Sequence, residues 1–428
     1  VHHALHLTAG ALAIVALAPA AAAHGAYPAV RQIVADPTDD SRLFARATYG
    51  LLTSTDRGKS WRWSCSAAAG YGPTESPVLA VGASGAPLMG TFDGLLASAD
   101  GACTWSQPAA LDRTVTGIAV GASRVWVLIS TSGAAGAYAS ELWLSSNGGT
   151  SFEKLGAALD DKTLFTDVGV SASDPARLYL TGSQGAKAVF FRSVTEGKTW
   201  DPPVVLAAPP GASPRIGAVH PTQPDVVYVR AGFAQTSGSE GVVLASKDGG
   251  ATFTEVLKQK APLLGFTLSP DGQRAFAAFG DPHAGVALDA AGLGLFSAKT
   301  SDDVFGKVRS QPTACVSYVG AELWACTSQA DDGFEIGRST DGGATFVKVM
   351  ELSGLSGPLD CAASSTVGAT CTAEDRDDLC QDTGNCAEPE AAPDDSGCGC
   401  RSATGSGRAG SSLGGLLAVL LLWRRRAR

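Results

Sequence analysis

The side chains best placed to do chemistry recur along the chain. Asp56, Asp100, Asn147, Glu196, Asp248 and Asp341 each sit in one octapeptide of the form Ser-x-Asp-x-Gly-x-Thr-aromatic. The copies are STDRGKSW (54–61), SADGACTW (98–105), SSNGGTSF (145–152), SVTEGKTW (193–200), SKDGGATF (246–253) and STDGGATF (339–346). Carboxylates repeated in this way could bind calcium or move protons. Calcium sites, however, collect many oxygens within one loop, and each octapeptide brings a single carboxylate or amide. The neighbouring residues define a simpler role. Glycine takes the positive φ of a tight turn, aspartate accepts backbone N–H groups, and serine and threonine hydroxyls add local bonds. The six positions are therefore expected to staple turns. Asn147 keeps the acceptor, while Glu196 moves the carboxylate one place along its copy.

Other candidate chemistry is thin. Beyond the leader, the histidines are His24, His220 and His283, the last two in the turn-like texts HPTQPD and DPHAG. The phosphate-loop and HExxH strings are missing. Gly410-Ser411-Ser412-Leu413-Gly414 fits G-x-S-x-G but lies outside any strand-to-helix context. No metal and no cofactor is implied. A net charge of −9 and the lack of a basic stripe argue against nucleic acid.

The elements that hold the octapeptides can be read from their flanks. Short apolar runs such as GLLTS, LWLSS and VVLAS precede them, and an aromatic expected to be buried opens the next run. Starts are separated by 44, 47, 48 and 53 residues (98−54, 145−98, 193−145, 246−193), then by 93 (339−246). The last gap is about two periods, which predicts a worn copy in residues 296–308. Multi-strand periods of 40–50 residues are the signature of propeller blades. The expected fold is all-β: seven blades of four strands, with no spare strand to close the ring. Insertions between second and third strands enlarge blades three (130–141), five (231–241) and six (280–294). They fall on the face opposite the octapeptides, where Tyr138, Phe233, Gln235, Asp281, His283 and Asp289 are the candidate binding residues.

The octapeptide resembles the Asp-box, or bacterial neuraminidase repeat, of sialidases, sortilin-type receptors and photosystem assembly factors. The resemblance covers most of residues 28–352 and implies a β-propeller whose boxes lie between the third and fourth strands of each blade. Sialidase activity would need an arginine cluster for the substrate carboxylate, a tyrosine nucleophile with its glutamate, and an aspartic acid. The Arg-Ile-Pro signature that precedes the first box in that family is absent: Phe44-Ala45-Arg46-Ala47 is the nearest text, and Pro214-Arg215-Ile216-Gly217 falls in another blade. The expectation is a non-catalytic module binding a glycan or a protein. A glycan hydrolase and an envelope assembly factor are the alternatives.

Residues 1–23 read as a secretory signal, with the propeller over 24–352. The ten cysteines then suit an oxidising compartment. Cys315 and Cys326 flank a hairpin and face each other as a disulfide candidate. Cys65 and Cys103, on adjacent blades, are placed to bridge one another. Cys361, Cys371, Cys380 and Cys386 staple a small cap that runs into an acidic stalk over 353–400. The end, with Cys398 and Cys400 in SGCGCRS, an apolar run from Leu413 to Trp423 and RRRAR, resembles the MYXO-CTERM tail of myxobacterial surface proteins. That resemblance implies a membrane segment over 401–428, cleavage by a sorting protease, anchorage through Cys398 or Cys400, and display at the cell surface.

Overall fold

Runs of β-branched and aromatic residues, punctuated by glycine-bearing turns, build seven antiparallel sheets. The computed structural model describes residues 28–371, apart from 73–74, 134–135, 157–158, 236 and 282–287. Each sheet runs outward in chain order from an inner strand. The inner strands are Val30–Asp36, Val78–Val81, Val115–Gly121, Leu164–Val170, Ser213–Val219, Leu263–Leu268 and Cys315–Val319. Blade two is the thinnest, with three strands and a lone Ala97–Ser106 bridge where its fourth would run.

Packing follows from one repeated position. The second strand of six blades carries a fully buried aromatic there: Phe44, Trp126, Tyr179, Tyr228, Phe276 and Trp324. Seven apolar clusters result, each spanning two neighbouring blades. Burying one such side chain is worth about 1.5–3 kcal/mol, so the blade-to-blade faces hold the ring together. The aromatics that close the octapeptides contribute less than expected. Trp61 and Trp105 are buried, but Phe152, Trp200, Phe253 and Phe346 are half-buried, because they open outermost strands with one face on solvent.

The octapeptides form the corners between third and fourth strands. Ser246 Oγ accepts the Gly250 N–H at 2.8 Å and donates to Asp248 Oδ1 at 2.8 Å. Asp248 in turn accepts the Thr252 N–H at 2.9 Å and its hydroxyl at 2.6 Å. The same serine-to-acceptor bond recurs at Asp56, Asp100, Asn147 and Asp341. The fourth copy requires a correction. Thr195 fills the acceptor position there, taking the Thr199 N–H at 2.9 Å, and Glu196 takes no part in the staple. Glu196 sits at φ 58°, which turns its side chain off the corner toward Arg124 of blade three, 3.0 Å away. In blade six the turn between Gly294–Lys299 and Gly306–Arg309 lacks the motif, and Asp303 instead accepts the Tyr228 hydroxyl of blade five at 2.5 Å.

Ring closure uses no shared blade. At the seam of blades seven and one, buried Glu335 accepts the Val30 N–H at 2.9 Å. The chain then adds Leu355–Pro358 parallel to Trp61–Cys65, as a fifth strand on the outer edge of blade one. A short helix, Thr366–Thr370, follows. Cys65 bonds Cys371 and Cys103 bonds Cys361, so the expected Cys65–Cys103 bridge is corrected: the two cysteines on adjacent blades both face the returning C-terminal segment. Cys315–Cys326 pairs across its hairpin as expected, with Cα atoms 4.8 Å apart. Cys380, Cys386, Cys398, Cys400, the leader and the apolar tail lie outside the described residues. Among the described residues no helix is long and apolar enough to cross a membrane.

Candidate functional site: the arginine end of the channel

Antiparallel meandering fixes which turns share a face. Corners after the first and third strands lie at one end of the ring. Hairpins after the second strand and the links between blades lie at the other. The seven inner strands enclose a channel of about 910 Å³ between these ends. One cross-strand rung circles it near the second end: Gln32–Arg46, Val78–Gly90, Gly117–Leu128, Asp167–Thr181, Arg215–Arg230, Gly265–Ala278 and Cys315–Cys326. Glycine at 117 and 265 lets neighbouring inner strands close in; an added Cβ would come within 2.9 Å of the Val168 and Val316 backbone nitrogens.

Charge collects on this rung. Arg46, Arg215 and Arg230 belong to it, and Arg31 lies one residue away in a bulge of the first inner strand. Bulges in blades three, four and six leave Thr116, Thr166 and Leu264 as extra residues. Their carbonyls hold the guanidiniums. Arg215 Nη1 donates to Thr166 at 3.2 Å and Thr116 at 3.4 Å, and Arg230 Nη1 donates to Leu264 at 3.0 Å. Arg31 Nη1 donates to the Asp281 carbonyl at 3.0 Å. The Arg46 Nε–H is buried and has no partner among the described residues.

The electrostatics show the strain of this grouping. Burial brings Arg46 down to about 10, with Tyr71 opposing and Arg31, Arg215 and Arg230 adding to the shift. Burial and then Arg215 bring Arg230 to about 10, against the pull of Asp167. Both stay cationic at neutral pH. Arg215 and Arg230 are direct cross-strand partners, an arrangement of like charges that destabilises a sheet. Asp167 is the carboxylate facing them. Burial pushes its acid upward, opposed by Arg215 and Arg230 and by N–H bonds from Val168 and Ile216. A cluster of guanidinium forks around a polar channel can grip an oxyanion in a fixed orientation.

The residues proposed from sequence are distributed around this end. Phe233 lies with Arg215 and Arg230 in a side groove of about 180 Å³, and Asp281 meets Arg31. Tyr138, Phe233 and Gln235 are not in loops, which corrects the sequence reading. The insertions of blades three and five are strand extensions, pairing Tyr138 with Ser132, Phe233 with Glu240 and Gln235 with Gly238. Their alternating pattern simply continues the ladder. Asp289 accepts the Ala291 N–H at 3.0 Å and caps the short turn Ala290–Gly292. His283 lies outside the described residues. His220 sits buried in the corner between the strands of blade five, with its Nδ1 3.2 Å from the Thr222 nitrogen. Among the described residues no group of three or more His, Cys, Asp and Glu could hold a metal ion.

Arg31, Arg230 and Asp167 were not foreseen, and Arg46 and Arg215 appeared only as fragments of a failed signature. A usable signal existed. Aligned on the octapeptide, the second-strand rung position holds Gly90, Leu128, Thr181, Ala278 and Cys326 in five blades, and arginine in blades one and five.

Fold and channel together define a seven-bladed β-propeller with a cationic end. No protein-family model matches the sequence, and no curated protein does. Solved structures do resemble it. An ancestral GH74 enzyme is similar over 75% of this chain and 46% of that chain, at 17% identity and a TM-score of 0.55. Hydrazine synthase from Kuenenia stuttgartiensis is similar over 74% of this chain and 96% of that chain, at 11% identity and a TM-score of 0.53. The chain thus spans less than half of the GH74 protein, and the likeness is one of fold.

Proposed function

We propose that this is an exported binding propeller that holds a glycan or protein ligand at the arginine end of its channel without transforming it. The observation that carries the reading is the rung of guanidiniums at the channel end, beside the extended hairpin of blade five. Three disulfides support an oxidising compartment. The octapeptides as Asp-boxes, and the tail as a sorting signal cut near Cys398 or Cys400, complete the proposal: a propeller shown at the cell surface on a short acidic stalk. Glycoside hydrolysis generally uses two carboxylates flanking the bond. Asp167 faces arginines rather than a second acid, which favours binding over turnover.

The test uses two single-cysteine attachments. Ala234, exposed on the blade-five hairpin, and Lys59, exposed on a corner of blade one, are each changed to cysteine and coupled to polyethylene glycol. Glycan and peptide arrays then report binding. Loss of binding with the polymer at 234 but not at 59 is expected. The reverse pattern would move the working face to the corners, and turnover of fluorogenic glycosides would make the protein an enzyme.

A further inference from the structure

We propose that the arginine end of the channel is a site for a doubly charged oxyanion, a phosphate monoester or a pair of neighbouring carboxylates carried at the end of the ligand. The inference rests on the channel being the binding site and adds the chemistry it selects. Arg31 is set against Asp281, and against Glu335 as well once pH passes about 7, where burial has raised that acid, so up to that pH it cancels out of the count. That leaves Arg46, Arg215 and Arg230 against Asp167. Three cations and one ionised carboxylate give +2 (3−1), and a protonated Asp167 gives +3. A monoanion leaves the rung unbalanced in either state, whereas a dianion neutralises it in one and nearly so in the other.

Donor geometry points the same way. A guanidinium offers donors on three nitrogens in a planar fork. Among the described residues Arg215 and Arg230 each commit only Nη1 to protein carbonyls, and the Arg46 guanidinium, its Nε–H buried, donates to no protein group. Two partly free forks and one wholly free fork converge from blades one and five, on either side of the channel. Carbonyls at three bulges pin Arg215 and Arg230, so their orientation is set before any ligand arrives. The second cationic groove of the molecule provides a contrast. On the corner face between blades five and six it gathers Lys247, Arg274 and Lys299. There Lys247 is paired with Asp303 at 2.8 Å, and Arg274 donates to Ser297 at 2.7 Å. In that groove Lys247 has a carboxylate of its own, whereas on the rung three guanidiniums share the single carboxylate of Asp167.

The experiment is thermal unfolding and calorimetric titration of the full chain near pH 7 at constant ionic strength. Phosphate, succinate and acetate are the probes. Phosphate and succinate should raise the unfolding midpoint with concentration, and acetate should not. The tighter of the two dianions, by tenfold or more, assigns the ligand group as phosphate or paired carboxylate. Arg46→Gln and Arg230→Gln should each weaken the dianion at least tenfold while leaving the empty protein as stable or more so, since a repelled charge is removed. Arg46→Lys keeps the charge and loses the fork, and should also weaken binding; it serves if Arg46→Gln fails to fold. Lys299→Gln on the corner face should change nothing. Protection by acetate equal to that by dianions, or dianion binding that survives the changes at both Arg46 and Arg230, overturns the proposal. If dianions fail while array ligands still bind and are blocked by polymer at 234, only the charge assignment is wrong. If array binding is blocked from position 59 instead, the channel reading itself has failed.

Discussion

Ser246 does more for its corner than Asp248. The serine is buried and accepts the Gly250 N–H, which has no access to water, while the aspartate lies on the surface. Ser246→Ala strands that N–H, and an unsatisfied buried donor costs about 1–3 kcal/mol. Chemical denaturation should show a loss of that size. Asp248→Asn should keep the corner formed, because Asn147 already serves the same staple in blade three, and should lose at neutral pH only what the charge adds to it. The two differ in acid. Bonds from the Thr252 hydroxyl and N–H hold Asp248 down to about 2, against 3.8 unfolded. A depressed acid contributes stability that is complete above 3.8 and is lost as pH falls toward 2. Urea midpoints measured across that window should slope for the native chain and slope less for Asp248→Asn.

The inter-blade seam behaves in the opposite sense. Burial pushes Glu335 up to about 7 from 4.5, against the Val30 N–H and Arg31. Between those values the folded chain keeps a proton that the unfolded chain releases, so stability declines as pH rises from about 4.5 to 7. Glu335→Gln retains an acceptor for Val30 and should flatten the decline in thermal midpoint over that range. Glu335 also marks the limit of sequence reading. Corners and strands were legible because their bonds join residues two to five apart, as in Ser246 to Gly250. The extended hairpins of blades three and five read as loops because glycine and small polar residues mask a ladder that depends on its partner strand. The channel rung was invisible for a different reason: Arg46 and Arg230 are 184 residues apart (230−46), and no local spacing joins them. Only the ring brings them together.

At the scale of the whole molecule, the returning segment at 355–371 ties blades one and two to the end of the chain. The two bridges it makes enclose 306 and 258 residues, and the blade-seven hairpin bridge encloses 11. The two long bridges are nested, so breaking Cys65–Cys371 alone frees a loop of 48 residues (103−65 plus 371−361), worth about 4 kcal/mol on a chain-entropy count, against about 3 kcal/mol for the short one. Cys65→Ser with Cys371→Ser should therefore lower the thermal midpoint more than Cys315→Ser with Cys326→Ser. The same clamp sets an order of events in manufacture. Synthesis proceeds at roughly 5–20 residues per second, so Cys65 precedes its partner by about 15–60 s. Once Cys103 has followed, the two cysteines of adjacent blades wait together without their native partners, and we expect oxidation in that time to join some of them to each other. Escape from that bond requires thiolate attack by Cys361 or Cys371 once they arrive. A host that reshuffles disulfides should yield native protein, and one that only oxidises should accumulate the early pair.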